Sequence, residues 1–194
     1  MSVSAPILTV IAGPNGVGKS TLTASLTVAQ GTPILDPDAI ARSLNPQAPE
    51  TAATGAGRVV LTRQNAYIRS RTSFILETTL AGSAVLRLMD EARRRGFRIH
   101  LIYIGVDDVH LLLDRIAGRV LDGGHAVPEH DVRRRYIRSM RRLKEAIARA
   151  DAVTLLDNVR DQEPRLVMTI DHGRGTLHGE DVPAWVDAAT DASP

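Results

Sequence analysis

No cysteine occurs in the sequence, which excludes thiol catalysis, disulfide bonds and cysteine-bound zinc together. Aromatic residues make up only 3% of the chain, so the core must be built from Ala, Val, Leu and Ile. No run of basic residues alternates with aromatics, and a single-stranded nucleic-acid platform would therefore lack its stacking partners. No stretch approaches bilayer-spanning length, so no membrane contact is expected. The apolar run Ile7–Ala12 has no basic residue ahead of it and ends directly in a glycine-rich loop, unlike a signal peptide. A soluble, cytoplasmic protein is expected. Lysine is nearly absent as well: Lys19 and Lys144 stand against 22 arginines, with a net charge of +2.

What remains is ordinary globular material. A hydrophobic content of 43% and a charged content of 24% over 194 residues fit one domain, residues 1–194, with a substantial core. Seven basic residues crowd Arg133 to Lys144, which reads either as a polyanion contact or as a solvated helix face.

The pattern of elements alternates. Ile7–Ala12 is a short continuous apolar run bounded by Gly13 and Pro14, the signature of a buried parallel strand. Further strands are predicted at 33–35, 73–76, 98–106 and 152–156. Helices are predicted at 20–29, 50–71, 84–95, 109–121 and from Pro128 onward. Strands alternating with helices imply crossover connections, hence an α/β three-layer sandwich with a mainly parallel five-stranded sheet. After Pro164 the spacing changes to that of a hairpin and a short helix, an extension (about 160–188) expected at the sheet edge. Trp185 there reads as a packing anchor.

Gly13, Pro14, Asn15, Gly16, Val17, Gly18, Lys19 and Ser20 match the GxxxxGK[ST] phosphate loop, after an apolar strand and before a helix. In such a loop backbone N–H groups converge on phosphate oxygens, helped by the positive end of the helix dipole. Lys19 would reach the β- and γ-phosphates and Ser20 would hold Mg²⁺.

The kind of P-loop protein is read from the other strand ends. A nucleotide-driven machine would need an Asp closing an apolar strand, whereas the third strand supplies Glu77, and Asp107-Asp108 is a weak substitute. No guanine-reading Asn-Lys-x-Asp is present. Asp36-Pro37-Asp38 follows the second strand, and strand C-termini of a parallel sheet face one crevice. Asp38 is there either a base taking a proton from an attacking hydroxyl, or the cap of a helix beginning at Ala39. Glu77 either grips substrate hydroxyls or pairs with a neighbouring Arg. A glycine-bounded segment from Asp122 to Pro128 reads as part of a lid (about 108–140) that closes over the phosphates. His125 within it either touches a phosphate or the acceptor, or caps a turn.

Taken in order, Gly13–Thr21, Asp36-Pro37-Asp38, Glu77-Thr78-Thr79-Leu80, Gly123-Gly124-His125-Ala126-Val127-Pro128 and Arg133–Tyr136 resemble the zeta-toxin family. The likeness is greatest to its compact chromosomal branch, covers roughly residues 6–158, and includes a late Asp157-Asn158. It implies a kinase that uses ATP or GTP with Mg²⁺, a small-molecule acceptor, and a small antitoxin as partner. The expected acceptor is a hydroxyl of a sugar nucleotide such as UDP-N-acetylglucosamine. Carried over by position, Lys19, Ser20 and Thr21 serve the nucleotide, Asp38 is the base, and Glu77 with Thr78 contacts the acceptor. Asp36, His125 and Arg135 also fall on the substrate side. Arg119 is the first choice for a phosphate clamp, then Arg134 or Arg135. Asp36 stands where the compact branch usually has Asn and sets a second carboxylate beside the base. A metabolic kinase of another hydroxyl compound, or a nucleotide-dependent regulatory ATPase that binds RNA, are the rival readings.

Overall fold

The computed structural model describes residues 4–121, 124, 126–159 and 164–190. Its centre is a sheet of β1 (Ile7–Ala12), β2 (Ile34–Leu35), β3 (Phe74–Thr78), β4 (Arg98–Gly105) and β5 (Ala152–Asp157). These five run parallel in the spatial order β2-β3-β1-β4-β5. β1 lies between β3 and β4, so its apolar residues face helices on both sides; Leu8, Val10, Ile11 and Ala12 are fully buried. The helices are α1 (Lys19–Gln30), α2 (Pro37–Leu44), α3 (Ala53–Ser70), α4 (Ala84–Arg94), α5 (Val109–Leu121) and α6 (Glu129–Ile147). A 3₁₀ turn, Pro49–Ala52, leads into α3.

The expected α/β sandwich is present, and the extension enlarges its sheet. β6 (Arg165–Asp171) and β7 (Arg174–Leu177) add antiparallel to β5, making one seven-stranded sheet. A short α7 (Ala184–Thr190) follows. Its Trp185 packs on Tyr103, ring centroids 5.5 Å apart, and Gly105 makes room: a Cβ there would lie 2.6 Å from the indole. Three of the four remaining aromatics gather at the other end, where Phe74 touches both Tyr67 and Phe97. Aliphatics fill the rest, as the composition requires.

A second apolar cluster bears directly on the crevice. Val17, from inside the glycine loop, packs with Ile104, Val106, Leu112, Ile116 and Val132. The loop is therefore seated on α5 and α6. Asp107 and Asp108 are used structurally: Asp107 accepts from the backbone N–H groups of Ala184 and Trp185, and Asp108 from that of His110. That accounts for this acidic pair without a metal. Among the described residues no helix is long and apolar enough to cross a membrane.

Candidate functional site

The loop between β1 and α1 adopts the geometry its glycines permit. Gly13, Gly16 and Gly18 have φ of 146°, 81° and 96°, values that side chains resist. A Cβ on Gly13 would fall 2.3 Å from Ile104 O, so the turn is closed to any other residue. Lys19 opens α1 and is 8% exposed; its Nζ donates to Pro14 O at 2.9 Å, curled back along the loop. Burial lowers the Lys19 pKa, opposed by attraction from Glu77, Asp38 and Asp36, and Arg119 adds to the lowering. Those charges all lie close enough to be felt at one ammonium. Thr21, beside Ser20 on the first turn, is exposed.

Glu77, the penultimate residue of β3, is in register with Ile11 and is 5% exposed. Ser20 Oγ donates to Glu77 Oε1 at 2.9 Å. Thr23 Oγ1 shares its proton between Lys19 O at 2.9 Å and Glu77 Oε2 at 3.0 Å. In the structure Glu77 accepts from the hydroxyls of Ser20 and Thr23 on α1. Burial pushes its pKa up, and Lys19 and the two hydroxyls pull against that. Thr23 was missed in the sequence, although it lies one helical turn beyond Ser20, on the same face. Thr78 turns its hydroxyl to a local bend, accepting from Leu80 N at 3.1 Å.

Asp36 and Asp38 divide sharply. α2 begins at Pro37, not Ala39, and its N-cap is Asp36, whose Oδ1 accepts from Asp38 N at 2.8 Å. Pro at the first helical position, where its missing N–H costs nothing, favours that earlier start. Capping is thus the work of Asp36, which corrects the alternative that gave it to Asp38. Asp38 is exposed and lines a cleft of about 780 Å³. Asn15 of the phosphate loop, Arg42, Glu50, Arg119 and Arg135 line it too. Asp36 instead borders a shallower cavity of about 370 Å³ shared with Ser20, Thr23 and Glu77.

The arginines separate in the same way. Arg135 Nη1 donates to Asn15 Oδ1 at 3.3 Å, and Arg119 shares the cleft. Gly124 closes against Arg119: its N donates to Arg119 O at 2.8 Å, and a Cβ there would lie 2.5 Å from Arg119 Cγ. Arg134 is drawn away, ion-paired to Asp131 at 2.6 Å and half exposed; it does not line the cleft. One helical position decides this, and the helix phase becomes known only when α6 is docked. α6 is stitched to the rest of the fold through Arg135 to Asn15, Tyr136 Oη to Asp107 O at 2.8 Å, Ser139 Oγ to Tyr103 Oη at 2.9 Å, and Arg142 to Ala81 O at 2.8 Å. His125 and Gly123 lie outside the described residues.

Ser20 Oγ and the Glu77 carboxylate, 2.9 Å apart, form a pair of hard oxygen donors of the kind Mg²⁺ takes. Among the described residues no group of three or more His, Asp or Glu could hold a metal. The donor set therefore suits an ion completed by phosphate oxygens and water.

Comparison with known proteins finds likeness in sequence and in fold. The sequence model of an AAA domain family, AAA_33, matches residues 8–147. An uncharacterized protein of Haemophilus influenzae is 40% identical over 124 residues, 64% of this chain and 88% of that protein. A chain of the AvrRxo1-ORF1:AvrRxo1-ORF2 complex, solved with sulphate ions, superposes with a TM-score of 0.71 at 17% identity. The match covers 89% of this chain, which spans 60% of the length of that one. The same complex solved with ATP gives 0.69 at 18% identity, covering 89% and 60%. The PezAT toxin–antitoxin system of Streptococcus pneumoniae gives 0.61 at 17% identity, covering 84% of this chain and 72% of the other. At such identities these neighbours share the fold.

Proposed function

For a chain that belongs to the AAA domain family and carries this phosphate loop, we propose a P-loop kinase that moves the γ-phosphate of ATP, or GTP, onto a hydroxyl of a small molecule. The observation that carries the reading is the company Asp38 keeps: a carboxylate relieved of capping, in one cleft with Asn15, Arg119 and Arg135. The acceptor hydroxyl gives its proton to Asp38 as its oxygen attacks the γ-phosphorus. The bond from that phosphorus to the β–γ bridging oxygen breaks, and the nucleoside diphosphate leaves. Lys19 and the loop N–H groups hold the phosphates. Arg119 and Arg135 neutralise charge on the transferring group, an effect worth roughly 10³–10⁵ in rate where it has been studied. Ser20 and Glu77 would hold Mg²⁺, which supplies further neutralisation of phosphate charge.

The first acceptor to test is a sugar nucleotide such as UDP-N-acetylglucosamine. Arg42, which lines the cleft and lies 3.8 Å from Asp36, suits a diphosphate, and Gln47 and Glu50 suit sugar hydroxyls. Purified protein with Mg-ATP or Mg-GTP and a panel of hydroxyl compounds, read by product mass, tests the reaction. A phosphorylated sugar nucleotide is expected. Nucleoside diphosphate release without any phosphorylated product would overturn the kinase and favour a regulatory ATPase.

The polyanion reading draws less support. Four of the seven basic residues, Arg133, Arg134, Arg135 and Arg142, are engaged with Glu129, Asp131, Asn15 and Ala81 within the fold. Two of the fold's neighbours come from toxin–antitoxin and ORF1:ORF2 complexes, which makes a small antitoxin a reasonable partner. Growth arrest on expression, relieved by Asp38→Asn, would separate a toxin from a housekeeping kinase.

A further inference from the structure

The end of β5 is joined to the phosphate loop through one side chain that the reaction above does not use. Asn158 is 8% exposed. Its Nδ2 donates to Val17 O at 2.9 Å and its backbone N to Gly105 O at 3.0 Å. Its own carbonyl accepts from Arg115 Nη1 at 2.8 Å. One residue thus ties together the phosphate loop, the end of β4 and α5. Gly18 makes the approach possible, since a Cβ there would lie 2.8 Å from Asn158 Nδ2. Arg115 precedes Arg119 by one turn on the same face of α5.

The amide is oriented by Val17. Flipping it would set two acceptor oxygens against each other, so Nδ2 faces the loop. The consequence is that Asn158 Oδ1 is buried with no hydrogen-bond partner. Such an atom lowers stability, and a residue kept in spite of it calls for a reason other than packing.

We infer that Asn158 is a positioning residue for nucleotide binding. It holds the Val17–Gly18 turn in the shape that cradles phosphates. Through Arg115 it sets α5, and with it Arg119, in register with that turn. The inference rests on the P-loop part of the proposed function and needs no acceptor.

The test compares Asn158→Leu with Asn158→Ala, reading the ATP dissociation constant by calorimetry and the melting of the nucleotide-free protein. Leu keeps the branched outline of Asn, offers Val17 O no donor and adds no charge beside the phosphates. Asn158→Leu is expected to weaken ATP binding roughly tenfold or more, and at least as much as Asn158→Ala. A residue that merely fills space gives the reverse order, with Asn158→Leu close to the parent in ATP affinity, and that result overturns the inference. Should Asn158→Leu not fold, Asn158→Ala decides: ATP affinity within about twofold of the parent overturns it. Combining Asn158→Ala with Arg119→Ala reads the link to α5. A combined loss smaller than the product of the single losses supports it, and fully multiplicative losses overturn it. A parent protein that fails to bind ATP defeats the P-loop reading itself, a result distinct from all of these.

Discussion

Asp36 and Asp38 stand two residues apart, yet the start of α2 sends them to different surroundings. Asp36 is drawn in as a cap, with Arg42 3.8 Å away, and borders the shallow cavity of Ser20, Thr23 and Glu77. Asp38 opens onto the large cleft with Arg119 and Arg135. The first side is a web of short hydrogen bonds around a buried carboxylate; the second is a wider space that brings Asp38, Glu50 and Asp131 together with Arg42, Arg119 and Arg135. In the proposed mechanism, a helix start displaced by two residues separates holding from reacting. Changes on the shallow side should be felt in stability and metal dependence, and changes on the cleft side in turnover.

The largest effect is expected on the cleft side. Arg119→Ala should cut kcat by about 10³-fold with little change in melting temperature, as loss of a phosphate-neutralising arginine does. A loss under about tenfold would move that role to Arg135. Lys19→Ala touches both sides and should lower kcat by roughly 10²–10³, with nucleotide affinity lost in calorimetry as well. Unchanged affinity would detach Lys19 from the phosphates.

On the shallow side, Glu77→Gln sharpens the comparison through pH. Burial raises Glu77 above its ordinary 4.5, so the folded state holds that proton more tightly than the unfolded chain. Its ionised form therefore subtracts nothing below pH 4.5 and most above the raised value. The melting temperature of Glu77→Gln minus that of the parent should grow more positive as pH rises from 4.5 toward neutral, while the magnesium needed for half-maximal turnover increases. A difference that shrinks with pH would contradict the burial argument. The smallest effect belongs to Asp36→Ala: about 1 kcal/mol of stability lost with the cap, measured by denaturant titration, and turnover largely kept.

Much of this was legible in the sequence, and the exceptions are instructive. The strands could be read because apolar runs such as Ile7–Ala12 are buried on both faces, and the phosphate loop because its glycines are needed at positive φ. The partition of Asp36 and Asp38 was partly readable: Pro37 fits a first helical position and makes Asp36 the natural cap. The partners of Glu77 were harder, since Ser20 and Thr23 lie 57 and 54 residues away and only strand order brings them together. Arg134 and Arg135 differ by one step of helical phase, which nothing local to α6 fixes. Asn158 could be seen at a strand end, but its reach to Val17 spans 141 residues.

The central claim is that Asp38, and not Asp36, takes the proton. Asp36→Asn and Asp38→Asn keep the side-chain shape at each position, and Asn caps a helix about as well as Asp. Both should be assayed beside the parent for phosphate transfer to the acceptor found by product mass, with ATP affinity measured in parallel. The account predicts that Asp38→Asn loses about 10²–10⁴-fold in kcat with ATP affinity intact, whereas Asp36→Asn stays close to the parent. Collapse in Asp36→Asn with transfer preserved in Asp38→Asn would contradict it.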